Sequence, residues 1–101
     1  MTDLGPMHSP PHPGRLIVEV YLAELNISAR QLAHALDVSP STLTRVINGA
    51  SGISAEMALR LSRALGGSPG SWLNMQNDHD LWVAAQRADL GRVTSLRSDV
   101  A

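Results

Sequence analysis

The segment from Arg30 to Gly49 constrains the fold more than any other part of this chain. Its polar and apolar residues predict two short helices joined by a tight turn. Ala33 stands where the two helices must approach closely, because a bulkier side chain would push the second helix away. Such an arrangement is typical of a helix-turn-helix, whose second helix is free to enter a DNA groove. The apolar positions of the segment are Leu32, Leu36, Val38, Leu43 and Val46.

Capping chemistry supports the start of both helices. Ser28 followed by Gln31 is a capping box, in which each side chain bonds the backbone N–H of the other residue. Ser39 is a suitable cap for the second helix, and Pro40 suits its first position because that position needs no N–H donor. Two capped helices separated by a few residues are therefore predicted.

The turn between the two helices and the end of the second helix are predicted from residues that tolerate unusual backbone angles. Asn48 and Gly49 end the second helix, since glycine adopts the left-handed conformation without strain. The turn residue is Asp37, where glycine is the more usual choice. Aspartate is among the few other residues that adopt a left-handed conformation at modest cost.

Composition limits the fold class. A chain of 101 residues with 44% apolar residues is enough for one domain, and with no phenylalanine and one tyrosine its core must be aliphatic, as in small helical bundles. The absence of cysteine excludes disulfides and thiolate metal sites. No apolar run approaches the roughly 20 residues that span a bilayer, and no signal-peptide pattern is present, so a cytoplasmic location is expected.

The net charge of −1 argues against a protein that coats nucleic acid through bulk electrostatics. All eight basic residues are arginine, whose planar guanidinium suits phosphates and guanine edges. Genomic base composition is the alternative explanation for this usage, and we favour it. Because non-specific binding is weak at this charge, useful affinity should come from a dimer on a defined, palindromic site. Double-stranded DNA is thus the expected ligand, and no membrane partner is expected.

Along the whole chain, caps and stops predict an all-α domain of five helices, at about 13–26, 28–36, 39–48, 54–65 and 69–88. Residues 1–12 are rich in proline and glycine and are expected to be a flexible arm with nothing to pack on. Residues 89–101 are expected to form a C-terminal tail. The helix-turn-helix domain with its C-terminal helix would then span 13–88.

Helical spacing separates candidate DNA contacts from core residues on the second helix. Leu43 and Val46 face inward, so Ser41 and Arg45 project outward. Arg45 is the best candidate for a bidentate contact to guanine. The alternative is a capped, solvated helix face. The full predicted DNA-binding set is Ser39, Pro40, Ser41, Thr42, Thr44, Arg45, Asn48 and Ser51.

The members of this set would have different roles. Thr44 can reach a base edge or a phosphate, whereas Pro40 has no donor and can only pack, for instance on a thymine methyl group. The remaining residues are expected to contact the DNA backbone and so position the protein on the duplex; they are Ser39, Asn48 and Ser51.

The last predicted helix contains both tryptophans of the chain, Trp72 and Trp82. Their ten-residue spacing is close to three helical turns, which places them on roughly one side. A core of five short helices has little room for two indoles. We therefore predict that these tryptophans mark a homodimer interface, with at least one packed across it.

No metal, cofactor or catalytic site is predicted. The histidines are His8, His12, His34 and His79, and none belongs to a cluster with metal-ligand spacing. Asp78, His79 and Asp80 are consecutive, and side chains about 100° apart on a helix do not converge on one ion. All four histidines are expected to be surface groups. An enzyme is disfavoured because no nucleophile–base pair or phosphate loop is present.

At this point the sequence resembles a known family, the HigA/VapI-type antitoxins of the Xre-like helix-turn-helix class. The helix-turn-helix alone is shared with many regulators, and the later Trp-Leu-x-x-Gln-x-x-x-Asp-Leu string is much more specific. The residues that carry the resemblance are His12-Pro13-Gly14, Ser39-Pro40-Ser41-Thr42, Asn48-Gly49, Trp72-Leu73-Asn74-Met75-Gln76 and Asp80-Leu81.

The resemblance implies a five-helix, lambda-repressor-like domain that forms homodimers and binds its own operator. It also implies a partner, a small basic toxin related to ribosome-dependent mRNA-cleaving enzymes. The arm at 1–12 and the acidic residues Glu19 and Glu24 are the predicted toxin contacts. Two alternatives are a stand-alone regulator of the same fold with no toxin, and an interaction module that has lost DNA binding.

Overall fold

The computed structural model describes residues 9–97, which form five helices and no strand. The all-α, five-helix prediction is confirmed, and every helix begins and ends within one residue of its expected bounds. Helix α1 consists of three consecutive segments, and the other four helices are single elements. The segments of α1 are Pro13–Leu16, Ile17–Leu22 and Ala23–Leu25, followed by α2 (Ala29–Leu36), α3 (Pro40–Ile47), α4 (Ala55–Leu65) and α5 (Pro69–Arg87).

Serine caps begin four of the five helices. The Ser28 hydroxyl accepts from the Gln31 N–H at 3.1 Å, and the Gln31 side chain accepts from the Ser28 N–H at 2.8 Å. The corresponding caps of α3, α4 and α5 are Ser39, Ser54 and Ser68. These bonds satisfy N–H groups that would otherwise lack a partner at a helix start, which explains why local sequence locates the helices so closely.

The turn between α2 and α3 depends on Asp37 and on a residue from α4. Asp37 adopts φ 58° and ψ 46°, the left-handed conformation expected for it. The Arg60 guanidinium donates to the carbonyls of Leu36 at 2.8 Å and Asp37 at 3.2 Å. Arg60 thereby closes the C-terminal end of α2 and fixes the turn against α4, a role that local sequence does not indicate.

The core lies where the five helices meet, and it includes Trp72, so the expectation of an aliphatic core is wrong. This indole is 1% exposed, donates its ring N–H to the Gly66 carbonyl at 3.1 Å, and lies 5.6 Å from the Tyr21 ring. Trp72 has almost no exposed surface with which to contact a second chain. Of the two tryptophans predicted to mark the dimer interface, Trp82 is half-buried and is the one that keeps exposed surface. The buried apolar residues are Ile17, Leu32, Ala33, Leu36, Leu43, Val46, Ile53, Met57, Ala58, Leu61 and Trp72.

The middle of α1 departs from the regular 3.6-residue period. Residues Ile17–Leu22 form a π-helical segment, in which backbone bonds span five residues instead of four. The wider turn displaces the apolar stripe, so Leu22 packs against the core while Leu25 is 53% exposed. In the sequence, the apolar residues of this helix recur at ordinary α-helical spacing, which does not reveal this shift; they are Leu16, Ile17, Val20, Tyr21 and Leu25.

Residues 10–12 pack against α5, which corrects the expectation that the whole arm has nothing to pack on. The Pro10 carbonyl accepts a hydrogen bond from His79 Nδ1 at 2.8 Å, and the His12 and His79 rings meet edge to face at 5.2 Å. A proline run has few N–H donors, so its carbonyls depend on side chains such as His79 for partners. Residues 1–8 lie outside the part that the structure describes.

Residues 88–97, which follow α5, contribute nothing to the core. Residues 88–97 form no regular element, and Leu90, Val93 and Leu96 are 68%, 70% and 95% exposed. Residues 98–101 of the predicted tail lie outside the described range. Within that range, no helix combines the length and the apolar character that crossing a membrane requires.

Candidate nucleic-acid interface

One face of α3 is polar and exposed while the opposite face is buried. Leu43 and Val46 are 0% and 2% exposed and hold the helix against the core. Ser41 and Arg45 lie on the outward side, one turn apart, and Thr44 is exposed beside them. The inward and outward assignments made for this helix therefore agree with the burial pattern.

Three hydroxyl groups gather at the start of α3. Ser39 Oγ accepts from the Thr42 N–H at 3.1 Å and lies 2.8 Å from Thr42 Oγ1 and 3.2 Å from Ser41 Oγ. All three side chains are exposed, and Pro40 is exposed between them. Hydroxyls at the positive end of a helix are suited to donate to phosphate oxygens, whereas Pro40 offers only an apolar ring.

Arg45 is free to contact a ligand. The ion pairs among residues 9–97 are Arg15–Glu19 and Arg60–Glu56, and Arg45 belongs to neither. Its side chain is exposed, so forming a new bond would not require an existing salt bridge to break. A guanidinium in this position can donate two parallel bonds to a guanine edge.

The loop after α3 is held by the helix that precedes it. The Arg45 carbonyl accepts from the N–H groups of Ala50 at 2.9 Å and Ser51 at 3.1 Å, and Gly49 has φ 78°. Asn48 is exposed at the helix end, and Ser51 is half-buried in the loop. The predicted DNA-binding residues thus run from the cap of α3 to the loop that follows it, and all of them except Ser51 are exposed.

The start of α1 lies directly against the end of α3. A Cβ atom added to Gly14 would come within 2.5 Å of the carbonyl oxygens of Val46 and Ile47. Backbone atoms cannot yield as a flexible side chain can, so only glycine permits this approach. The His12-Pro13-Gly14 sequence therefore fixes α1 against the candidate DNA-binding helix, a role that the sequence did not assign to Gly14.

His12 joins the start of α1 to the loop after α3. Its Nδ1 accepts from the Gly14 N–H at 3.0 Å, which requires that nitrogen to be unprotonated. Burial lowers the pKa of His12, and the neighbouring His79 lowers it further, while Asp80 and a hydrogen bond to the Ser51 backbone act in the opposite direction. The expectation that all four histidines are surface groups is wrong for His12 and His79.

Gln76 ties α5 to the segment that follows α3. Its side chain is 7% exposed, its Oε1 accepts from the Ile53 N–H at 2.9 Å, and its Nε2 donates to Asp80 Oδ1 at 2.9 Å. A buried amide with both ends bonded holds the two elements in one arrangement. Gln76 belongs to the Trp-Leu-x-x-Gln string, so the sequence contained a signal for it but gave it no structural role.

Acidic and histidine side chains do not assemble into a metal centre within residues 9–97, where no group of three or more could hold an ion. In the Asp78-His79-Asp80 run, His79 bonds the Pro10 carbonyl and Asp80 accepts from Gln76. The two groups thus face different partners, as their helical positions require.

Comparisons with known proteins agree with this architecture. A helix-turn-helix family model matches residues 19–73. Virulence-associated protein I of Dichelobacter nodosus is 48% identical over 75 residues, which cover 74% of this chain and 69% of that protein. Among solved structures, antitoxin GraA has a TM-score of 0.83 and 39% identity, over 88% of this chain and 99% of that one. The chain belongs to the HigA/VapI family of helix-turn-helix antitoxins.

A second structure in this family includes DNA. It is the Pseudomonas aeruginosa antitoxin HigA with the higBA promoter, with a TM-score of 0.78 and 34% identity over 87% of this chain and 99% of that chain. The chain belongs to this DNA-binding family, and α3 is the second helix of its helix-turn-helix, the position that enters the major groove in such motifs.

Proposed function

We propose that this chain is the antitoxin of a toxin–antitoxin pair. In this proposal it binds its own operator as a homodimer, represses transcription of the gene pair, and neutralises a small basic toxin that cleaves mRNA on the ribosome. The single observation that supports the DNA-binding part most strongly is the exposed polar face of α3, with an unpaired Arg45 at its centre. The likeness to antitoxin GraA over nearly the whole of that chain supports the remainder.

Operator recognition would use the predicted set in four roles. Arg45 and Thr44 would contact base edges, and Ser41 and Thr42 would donate to phosphates near the start of α3. Pro40 would pack on a thymine methyl group. The DNA backbone would be contacted by the residues that cap and follow α3, and these contacts would position the protein on the duplex. These residues are Ser39, Asn48 and Ser51.

A homodimer would supply the affinity for DNA that one copy lacks. With a net charge of −1, one chain has little general attraction for DNA, so two half-sites would double the few arginine contacts. The surface proposed for the second copy is on α5, where Leu81 is 64% exposed next to the half-buried Trp82. A two-fold axis there would place the recognition helices about 34 Å apart, one turn of DNA.

The toxin would bind the acidic side of α1 and the arm before it. Glu19 and Glu24 are exposed, and Glu19 pairs with Arg15 at 3.2 Å, with both side chains more than 60% exposed. An exposed pair of this kind contributes little to stability, so a basic partner can displace Arg15 at small cost. Pro10 and Pro11 lie beside this helix and would extend the surface.

Co-expression with the adjacent small basic reading frame tests the proposal. We expect the full chain to be co-purified with that product, to restore growth of cells that express it, and to shift a fragment of its own promoter. Deletion of residues 1–9, which spares the Pro10 contact with α5, should weaken toxin capture and leave the promoter shift intact. Promoter binding with no toxin capture would indicate a stand-alone regulator, and capture with no promoter binding would indicate an interaction module.

A further inference from the structure

We propose that Arg87, at the C-terminal end of α5, binds a backbone phosphate of the operator beside the recognition helix. This inference rests on the proposed operator binding and adds to it a contact from outside the helix-turn-helix. The site is an open groove of about 450 Å³ between α5 and the loop that follows α3. Its lining includes Ser51, Gly52, His12, His79 and Arg87.

Helical geometry places Arg87 in line with the contact that joins α5 to this loop. Gln76 bonds the Ile53 N–H at 2.9 Å, and a Cβ atom on Gly52 would lie 3.1 Å from the Gln76 side chain, so the loop backbone rests on this face of α5. Arg87 follows Gln76 by three turns, which returns it to nearly the same face about 16 Å farther along the axis. Arg87 therefore lies on the same side of α5 as this contact and lines the groove together with the loop.

The Arg87 end of the groove favours an anion. Arg87 is exposed and takes no part in the ion pairs found among residues 9–97, which are Arg15–Glu19 and Arg60–Glu56. The one acidic side chain that lines the groove is Asp80, and it already accepts a hydrogen bond from Gln76 at 2.9 Å. The loop N–H groups of Ala50 and Ser51 are already bonded to the Arg45 carbonyl, so the donors left for a phosphate are the Ser51 hydroxyl and the Arg87 guanidinium, neither of which has a carboxylate partner to displace.

The position of the groove indicates where such a phosphate would come from. The loop begins directly after α3, and a recognition helix in the major groove brings its flanking loop to the edge of that groove, where the phosphates lie. The loop cannot shift independently, because the Arg45 carbonyl accepts from both Ala50 and Ser51. Arg87 would therefore contact the duplex at a fixed distance from the base reader Arg45.

The salt dependence of operator binding by the full chain tests this inference. Each neutralised phosphate contributes about 0.9 to the slope of log affinity against log salt. For a dimer, Arg87→Gln should reduce that slope by about 1.8. If affinity at 1 M salt is unchanged, binding at 0.1 M salt should be roughly 60-fold weaker, equally on operator and mutated operator. The matched control is Arg63→Gln, which removes an exposed arginine from the last turn of α4 and should leave the slope unchanged.

A phosphate contact can also be located directly. A neutral methylphosphonate placed at the contacted phosphate should weaken binding of the native chain and have no further effect on Arg87→Gln. An unchanged slope for Arg87→Gln, with operator binding by the native chain intact, would overturn the inference and leave Arg87 as a helix-end cation that serves the α5 dipole. Failure of the native chain to bind its operator would instead overturn the proposed function.

Discussion

Arg45 and Leu43 lie two residues apart on α3 and act on different properties of the protein. Leu43 is fully buried and contributes to stability, whereas Arg45 is exposed and contributes to DNA recognition in our proposal. His12 is different again, because its bond to the Gly14 N–H depends on its protonation state. Substitutions at these residues therefore separate stability, recognition and pH dependence.

Replacing Arg45 with alanine should weaken specific operator binding by about 1–3 kcal/mol and relax the preference at one base position. The reason is the loss of two parallel hydrogen bonds to a guanine edge. Quantitative mobility shifts on the operator and on single-base variants measure both effects. Unchanged discrimination between these duplexes would show that the base reader lies elsewhere.

Replacing Leu43 with alanine should destabilise the domain by about 2–5 kcal/mol, because truncating a fully buried side chain leaves a cavity. The measurement is urea unfolding followed by circular dichroism. Thr44→Ala, next to it and exposed, is the control and should change stability by less than about 0.5 kcal/mol. Equal losses from the two variants would contradict the assigned orientation of α3.

The pH dependence of stability should change when His12 is replaced. Since burial and His79 hold the pKa of His12 below 6.5, folding favours the neutral ring, and its contribution is complete above pH 6.5 and is lost as pH falls through the lowered value. The nearby groups that face it are His79 and Asp80. His12→Asn can cap α1 without titrating, so unfolding curves between pH 8 and pH 5 should be flatter for this variant. The same steepness in both proteins would exclude His12 as the titrating group.

The positions of the helices were predictable from local sequence, because serine caps and glycine or asparagine stops act within a few residues. The left-handed Asp37 and the inward faces of α2 and α3 were predictable for the same reason. The π-helical middle of α1 and the close approach at Gly14 were not, since they depend on how distant helices meet. Gln76 could be recognised in the sequence only as part of the motif that resembles the antitoxin family. Its structural role was not predictable, because the residue that its amide bonds, Ile53, is 23 residues away.

Replacing Gln76 should show how strongly α5 is attached to the segment behind α3. Gln76→Ala leaves the Ile53 N–H without its hydrogen-bond partner and should cost about 1–3 kcal/mol of folding stability. Operator affinity should fall as well, since the loop after α3 loses its support. The control is Asn77→Ala, an exposed change on the same helix. Equal stability of the two variants would mean that this bond does not hold the elements together.

At the scale of the whole molecule, the few cations make a single copy a weak DNA ligand. The eight arginines are balanced by nine acidic residues, so affinity cannot come from general attraction. The exposed residues of α3 and the apolar surface at Leu81 instead favour two copies that each present one helix to a half-site. This arrangement explains how a domain with one arginine on its recognition helix could bind one operator specifically.

Hydroxyl-radical footprinting of the full chain on its own promoter tests this central claim most directly. We expect two protected regions related by a two-fold axis, with centres one helical turn, about 34 Å, apart. Both regions should disappear together in the Arg45→Ala variant at a concentration where the native chain gives full protection. A single protected region, or no protection of the promoter at any concentration at which the chain stays folded, would contradict the account.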